Sequence, residues 1–375
     1  MNGSIRRRSR ASWELTIDLG RGPDGKRRRK FVSVKGMKVD AERKLREILS
    51  SLDKGIPVAT DRIKVADWLD RWLAEYVEPT CRTKTIERYE GIVRMHLKPY
   101  IGHLQLSDLS PADLRTLEMK LLGQGMTAKG VGLVHTVMHG ALRYAVHEDV
   151  LGRNIAQAVT PPRVERKEVE PPDISVIRKI LNLGERQGHP LFPSLHLIAY
   201  TGMRRGEALG LRWQDVNFDM GTVSIVQTLG RSLKGLTFEP PKTNSGRRSI
   251  DLDSRTVDVL RSHRGRQLLE KMKAEGAYED KDLVFADPIG GVTNPMAVTR
   301  AFQSLARQVG LAKVRLHDLR HFHATVMLQQ GQSPALVSKR LGHATVTTTM
   351  DIYSHVLPGW QKEAANAFAK AMDEG

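Results

Sequence analysis

Four separated stretches carry side chains suited to chemistry on a charged ester. The first, Thr201–Trp213, reads TGMRRGEALGLRW. Gly202 suits a helix start, which sets Arg204 and Glu207 three apart on one face. A guanidinium at a helix start can grip an anion through two N–H groups, and a nearby carboxylate can orient it. The second, Pro240–Leu252, reads PPKTNSGRRSIDL; its turn residues Thr243–Gly246 put Lys242 near a hairpin tip, with Lys234 a competitor for that place. The third, Arg315–Gly331, reads RLHDLRHFHATVMLQQG and sets His317 and Arg320 on one helix face. An imidazole beside a guanidinium suits acid–base work on a phosphate. In the fourth, Lys339–Val356, Gly342 ends a helix, His343 follows, and Tyr353 comes ten residues later.

Taken singly, each stretch has an ordinary explanation. Arg–Glu pairs three apart are usually surface ion pairs, a tip lysine is usually solvated, and a tyrosine in such a segment usually packs. His317 and His321, four apart, also invite a zinc site. The zinc-protease pattern wants Glu directly after the first histidine, and Asp318 stands there instead. The combination in one order is what distinguishes this chain.

The elements that must position these groups are legible as patterns. In residues 1–56, Trp13, Leu15, Ile17 and Leu19 alternate as a strand. Gly20–Lys26 is a turn, and Val32 and Val34 mark a return strand. Leu45, Ile48, Leu49 and Leu52 then repeat with helical spacing. This predicts a hairpin plus one helix, with Arg6, Arg7, Arg8, Arg10, Arg27, Arg28 and Arg29 crowding its ends and turn. A two-stranded ribbon fits a DNA major groove, where such arginines meet phosphates or guanine edges.

Residues 62–160 read as almost wholly helical. Val65, Trp68, Leu69, Trp72, Leu73 and Tyr76 form one apolar stripe, and Ile86, Tyr89, Ile92, Val93 and Leu97 a second. Ser110-Pro111 starts a third helix, and Val131 to Val146 supplies a fourth. The stretch 160–172, TPPRVERKEVEPP, has the proline and charge of a linker. From Asp173 onward the pattern is mixed, with strands expected over Thr222–Thr228 and Arg247–Leu252.

Composition narrows the partner. The chain has 375 residues and 40% hydrophobic residues, enough for more than one core. Lys plus Arg is 59 against 42 for Asp plus Glu, a net charge of +17. Residues 1–60 hold 16 basic and 7 acidic side chains, so over half the excess lies in under a sixth of the length. That clustering favours a polyanion, most simply nucleic acid. Cys81 is the single cysteine, which excludes an intrachain disulfide and a thiolate zinc cage and points to a reducing cytoplasm. No stretch has the length of a membrane span, and no secretory signal is visible.

The ordered array of Arg204 with Glu207, a hairpin lysine, H-x-x-R, LGH and Tyr353 closely resembles the tyrosine recombinases, the phage-integrase family. TGMRRGEALGLRWQDV, HDLRHFHAT and LGHATVTTTMDIY resemble the family's signature stretches nearly residue by residue. The resemblance implies an α+β, mostly helical fold in three parts. Residues 1–56 would be an arm-type DNA-binding module and 62–160 a helical, SAM-like core-binding domain. Residues 161–172 would be a linker, and 173–375 a mixed α/β catalytic domain ending in an exchange helix. It also implies a catalytic set of Arg204, Lys242, His317, Arg320 and His343, with Tyr353 as nucleophile and Glu207 in support. No metal or cofactor is expected. The expected partner is double-stranded DNA carrying core-type and arm-type sites, bound by a homotetramer. A host bending factor and an excisionase are further partners the family admits. In the tail, Trp360, Ala364, Phe368 and Met372 fall on one face, which either docks on its own domain or, as the resemblance implies, packs into a neighbouring protomer.

Other classes make different demands. A type IB topoisomerase shares the chemistry but relaxes a single duplex. A regulator would bind DNA without cleaving it. A zinc hydrolase would need one equivalent of metal. The basic N-terminal ribbon favours an integrase over a two-domain chromosome resolvase.

Overall fold

The computed structural model describes residues 3–9, 11–21, 27–53, 63–164, 172–233, 235–241, 243–353 and 360–373. Contacts divide the chain into two units, Met1–Lys167 and Glu168–Gly375.

The first unit begins with an antiparallel sheet of three strands, β1 (Gly3–Ser9), β2 (Ser12–Arg21) and β3 (Arg27–Lys35), in that spatial order. Helix α1 (Lys38–Asp53) packs on it. Leu15 and Ile17 of β2 are fully buried with Ala41 and Ile48 of α1. The hairpin read from the sequence is therefore extended by a third strand. GSIRRRS has one large apolar residue, Ile5, so β1 shows no alternation. Its pairing with β2, Ile5 opposite Leu15 and Arg6 opposite Glu14, makes it a strand.

The same unit continues with α2 (Val65–Trp72), α3 (Glu78–Thr80), α4 (Thr83–Ile92), α5 (Lys98–Ile101), α6 (Pro111–Gly123) and α7 (Ala128–His147). Wide π-helical turns at Leu73–Val77 and Val93–Leu97 join α2 to α3 and α4 to α5. The two predicted stripes meet in one core: Trp68 and Leu69 are fully buried, and Trp72 stacks on Tyr89 at 5.7 Å. The Trp68 indole N–H donates to the Ala141 carbonyl of α7 at 3.0 Å, so this large ring is buried without an orphan donor. Ser110 and Asp113 form a reciprocal cap at the start of α6, and Pro111 sits where a missing N–H costs nothing.

The second unit comprises α8 (Ile174–Arg186), α9 (Phe192–Thr201), α10 (Arg205–Leu209), β4 (Val216–Asn217), β5 (Thr222–Ile225), β6 (Thr228–Ser232), β7 (Gly235–Glu239) and β8 (Arg248–Asp251). It continues with α11 (Ser254–Lys273), α12 (Pro295–Gln308), α13 (Asp318–Gln329), α14 (Pro334–Leu341), α15 (Val346–Tyr353) and α16 (Trp360–Asp373). Helix α9 is buried over nearly its whole length and forms the centre of the unit. Around it Ile180, Val223, Leu260, Val284, Phe302 and Leu319 are fully buried. The sheet order is β4-β5-β8, antiparallel throughout. Between β5 and β8 the chain makes a separate hairpin, β6 with β7. The strand expected over Thr222–Thr228 thus stops at Ile225, and Thr228 opens the inserted hairpin. β7 is largely exposed, so it lacks the buried face that reveals a strand by alternation.

Candidate active site

All four stretches meet at the C-terminal ends of α9 and α14, the second of them through Arg248, which bonds Glu207 and the Arg340 carbonyl. Gly202 closes α9 in the left-handed region, at φ +66°. It ends that helix; it does not begin the next one as its neighbours' spacing implied. Helix α10 starts one residue after Arg204, which is its cap, and the Glu207 side chain reaches back to accept the Arg204 backbone N–H at 2.9 Å. Glycine is favoured at such a helix stop because a Cβ is strained there. The resulting sharp corner brings Arg204 beside Arg320.

Arg320 is buried and donates from Nη1 to the Gly202 carbonyl at 2.8 Å and from Nη2 to the Leu341 carbonyl at 2.7 Å. Arg204 donates from Nη1 to Glu207 Oε1 at 2.7 Å and from Nη2 to the Gly342 carbonyl at 3.4 Å. The end of α14 thus holds both guanidinium groups, Arg320 through the Leu341 carbonyl and Arg204 through the Gly342 carbonyl. Glu207 is itself buried and bridges Arg204 to Arg248, whose Nη2 lies 2.9 Å from Oε2. Burial alone would raise the Glu207 carboxyl. The hydrogen bond and charge of Arg248, followed by those of Arg204, outweigh it and hold the group below its ordinary value.

His317 caps α13, one turn before Arg320. Burial lowers its pKa first, and His321 and the cations Arg320 and Arg204 lower it further. A neutral imidazole is the form that can accept a proton. His321 packs edge-on against His317 with ring centres 5.0 Å apart. Among the described residues, no three His, Cys, Asp or Glu side chains could hold a metal ion together. His343 follows Gly342 and pairs through Nδ1 with the buried Thr349 hydroxyl at 2.8 Å. Burial, then Arg320 and Arg204, push its pKa down to about 4. The two arginines thus act electrostatically on both histidines. The contact to Thr349 ties the LGH segment to α15, whose last residue is Tyr353.

Lys242 and its competitor Lys234 lie outside the described residues, as do Arg10 and the side chains of Tyr353, Arg27, Arg28 and Arg29. The Thr243–Gly246 turn is not the hairpin tip expected for Lys242: it joins β7 to β8, which pair with β6 and β5 respectively, and by order along the chain it is Lys234 that falls between the two paired strands β6 and β7. Arg6, Arg7 and Arg8 lie exposed on β1, with Arg7 against the Trp13 ring and Arg8 3.3 Å from Glu14. These arginines belong to the first unit and the cluster around Arg204 to the second.

Sequence reasoning missed Arg248. The signal was present: Arg248 and Ile250 are two apart on β8, and Ile250 is an inward-facing core residue. An arginine on the buried side of a strand needs partners, and here it finds Glu207.

Residues 176–359 match the phage integrase family, and residues 64–122 match the N-terminal SAM-like domain of phage integrases. A tyrosine recombinase XerC-like protein of Caldanaerobacter subterraneus subsp. tengcongensis is 28% identical over 379 residues, covering 95% of this chain and 94% of the relative. In fold, the chain resembles the Tn1549 transposon integrase solved with a circular intermediate DNA (TM-score 0.68, 16% identity, 83% of this chain and 99% of that one). It also resembles the lambda integrase solved as a tetramer on a Holliday junction (TM-score 0.58, 16% identity, 93% and 94%). The chain belongs to the phage integrase family of tyrosine recombinases, which cleave and rejoin DNA at specific sites to move genetic elements.

Proposed function

We propose that Arg204, Lys242, His317, Arg320, His343 and Tyr353 carry the strand-transfer chemistry, with Glu207 supporting Arg204. The observation that carries this reading is the anchoring of Arg204 and Arg320 on the carbonyls of Gly202, Leu341 and Gly342, which draws three distant stretches into one cationic site. The phenolic oxygen of Tyr353 attacks the scissile phosphorus while the bond to the 5′ oxygen breaks. His317, neutral in this setting, takes the phenol proton. Arg204 and Arg320 stabilise the charge building on the nonbridging oxygens, and His343 adds a hydrogen bond there. Lys242 gives a proton to the departing 5′ oxygen. The products are a 3′-phosphotyrosyl ester and a 5′ hydroxyl. The ester keeps the energy of the broken bond, so the 5′ hydroxyl of a partner duplex can rejoin without ATP.

On this reading, residues 1–56 bind arm-type sites and 62–160 bind core-type sites. Residues 161–172 link them to the catalytic residues 173–375. Exposure of Arg6, Arg7 and Arg8 along β1 supports the first assignment. Four protomers assemble on two duplexes on the DNA of a bacterial host, with a bending factor and an excisionase as accessory proteins. Helix α16 docks on a neighbouring protomer. Phe368 and Met372 on its predicted apolar face are 69% and 68% exposed, which supports a partner for that face.

Covalent capture tests the reading. Wild type and Tyr353→Phe are expressed in cells carrying the element, protein-linked DNA is isolated under denaturing conditions, and the attached ends are sequenced. The expected result is Tyr353-dependent 3′-linked adducts at two discrete sites. Scattered adducts favour a relaxing topoisomerase. Stable binding without adducts from either protein favours a regulator.

A further inference from the structure

Arg248 opens β8 opposite Ile225 and shares the inward side of that strand with Ile250. Its side chain is 5% exposed, so its charge has left water and its donors must be met by the protein. Nη2 lies 2.9 Å from Glu207 Oε2, and Nη1 lies 3.4 Å from Glu207 Oε1 and 3.1 Å from the Gly246 carbonyl. Nε donates to the Arg340 carbonyl at 2.6 Å. One guanidinium thereby joins three segments. Glu207 orients Arg204, Gly246 ends the turn that follows Lys242, and Arg340 lies three residues before His343 in the last turn of α14. The planar fork makes this possible, because a lysine ammonium is a point donor that cannot present parallel N–H groups to a carboxylate.

We propose that Arg248 is a positioning residue for strand cleavage. It acts through Glu207 on the plane of Arg204 and through the Arg340 carbonyl on the placement of His343. With Arg248 removed, Glu207 keeps only Arg204 as a charged partner among the described residues and is free to draw that guanidinium away from the phosphate. The Arg340 carbonyl loses its donor at the same time, and the adjoining Leu341 and Gly342 carbonyls hold Arg320 and Arg204. Both effects fall on groups that face the nonbridging oxygens. The proposal rests on the cleavage reading above.

The test compares single-turnover cleavage of a duplex carrying a captured site, as the ordinary phosphate and as a methylphosphonate at the scissile position. The methylphosphonate has lost one nonbridging oxygen and its negative charge, so it asks less of the arginines. Arg248→Met is expected to bind the duplex as wild type does and to cleave the phosphate about 100-fold more slowly, the scale of a displaced catalytic group. On the methylphosphonate its deficit relative to wild type shrinks to about tenfold or less, as for Arg204→Ala. Arg248→Lys keeps a charge opposite Glu207 and shows the same pattern at smaller amplitude; it carries the comparison if Arg248→Met does not fold. Cleavage at the wild-type rate by a folded variant overturns the proposal, and so do equal deficits on both substrates, which indicate a general loss of structure. Wild type runs in parallel, so a failure of the cleavage reading shows in the wild type and a failure of the Arg248 assignment only in the variants.

Discussion

Gly342→Ala offers a quantitative test of how the site is held together. Gly342 ends α14 at φ +68° and ψ +47°, in the left-handed region. Placing an L side chain there costs about 1–2 kcal/mol. The added Cβ also meets the Ser245 carbonyl oxygen and Arg248 Nη1, both at 2.8 Å. Neither yields cheaply. Ser245 O is backbone in the turn entering β8, and Arg248 Nη1 is held by Gly246 and Glu207. Relief to an ordinary contact needs a displacement of about 0.6 Å, and forced overpacking of this kind costs about 1–3 kcal/mol. The summed expectation is a loss of about 2–5 kcal/mol from the unit that holds the site. The carbonyl of Gly342 accepts from Arg204, and its neighbour is His343, so the displacement passes directly to both groups. Cleavage should fall roughly 30- to 100-fold, because catalysis at this geometry is sensitive on the ångström scale. Gly331→Ala is the control. Gly331 has φ +77°, but a Cβ added there meets nothing within 4 Å, so it isolates the backbone cost. Urea unfolding and single-turnover cleavage of wild type and both variants give the two numbers. If Gly342→Ala matches Gly331→Ala in stability and cleaves within twofold of wild type, the steric argument is wrong.

Three further outcomes follow from other parts of the molecule. Glu207→Gln leaves the buried Arg248 without its counter-charge and should cost about 3–5 kcal/mol in urea unfolding. The Glu207 carboxyl is held low in the folded protein, so its contribution is present above the ordinary carboxylate value and lost as pH falls through the depressed one; a variant deficit that did not shrink in acid would count against the ion pair. His196 and His323 are held neutral by burial, with pKa values lowered from 6.5 to about 4. The unfolded chain then binds protons first as pH falls, so thermal stability should decline between pH 6.5 and 4, by roughly 3 kcal/mol per histidine at the acid end, and His196→Gln should flatten that slope. Ser110→Ala removes the hydroxyl that caps α6 and should destabilise the first unit by about 1 kcal/mol in the same assay; an unchanged midpoint would mean that Asp113 alone suffices.

The sequence by itself determined which polar side chains gather at the candidate site and which segments are packing. Arg204 with Glu207, His317 with Arg320, and His343 are set by residue type and short spacing, and the structure brings them together. The helical stripes of residues 65–97 were equally legible, because a 3.6-residue period of large apolar side chains has one cheap solution in water. Tertiary structure decided what spacing cannot carry. β1 is a strand because β2 offers it a ladder, and its run of arginines shows no apolar period. Gly202 looked like a helix start, yet it is a helix stop, since Glu207 reaching back to Arg204 N–H sets the start of α10 beyond it. The β6–β7 hairpin was hidden because its second strand has no buried side. His323 reads as one more histidine in its box. Only its neighbours fix its neutral form: Nδ1 faces the Ala199 carbonyl as donor, and Nε2 accepts from Arg340 Nε. Arg248 is the clearest case. One strand position from a solvated arginine to a buried one is invisible in composition, and only the packing of β8 beside α14 and the α10 carboxylate shows that its charge has nowhere to go but Glu207.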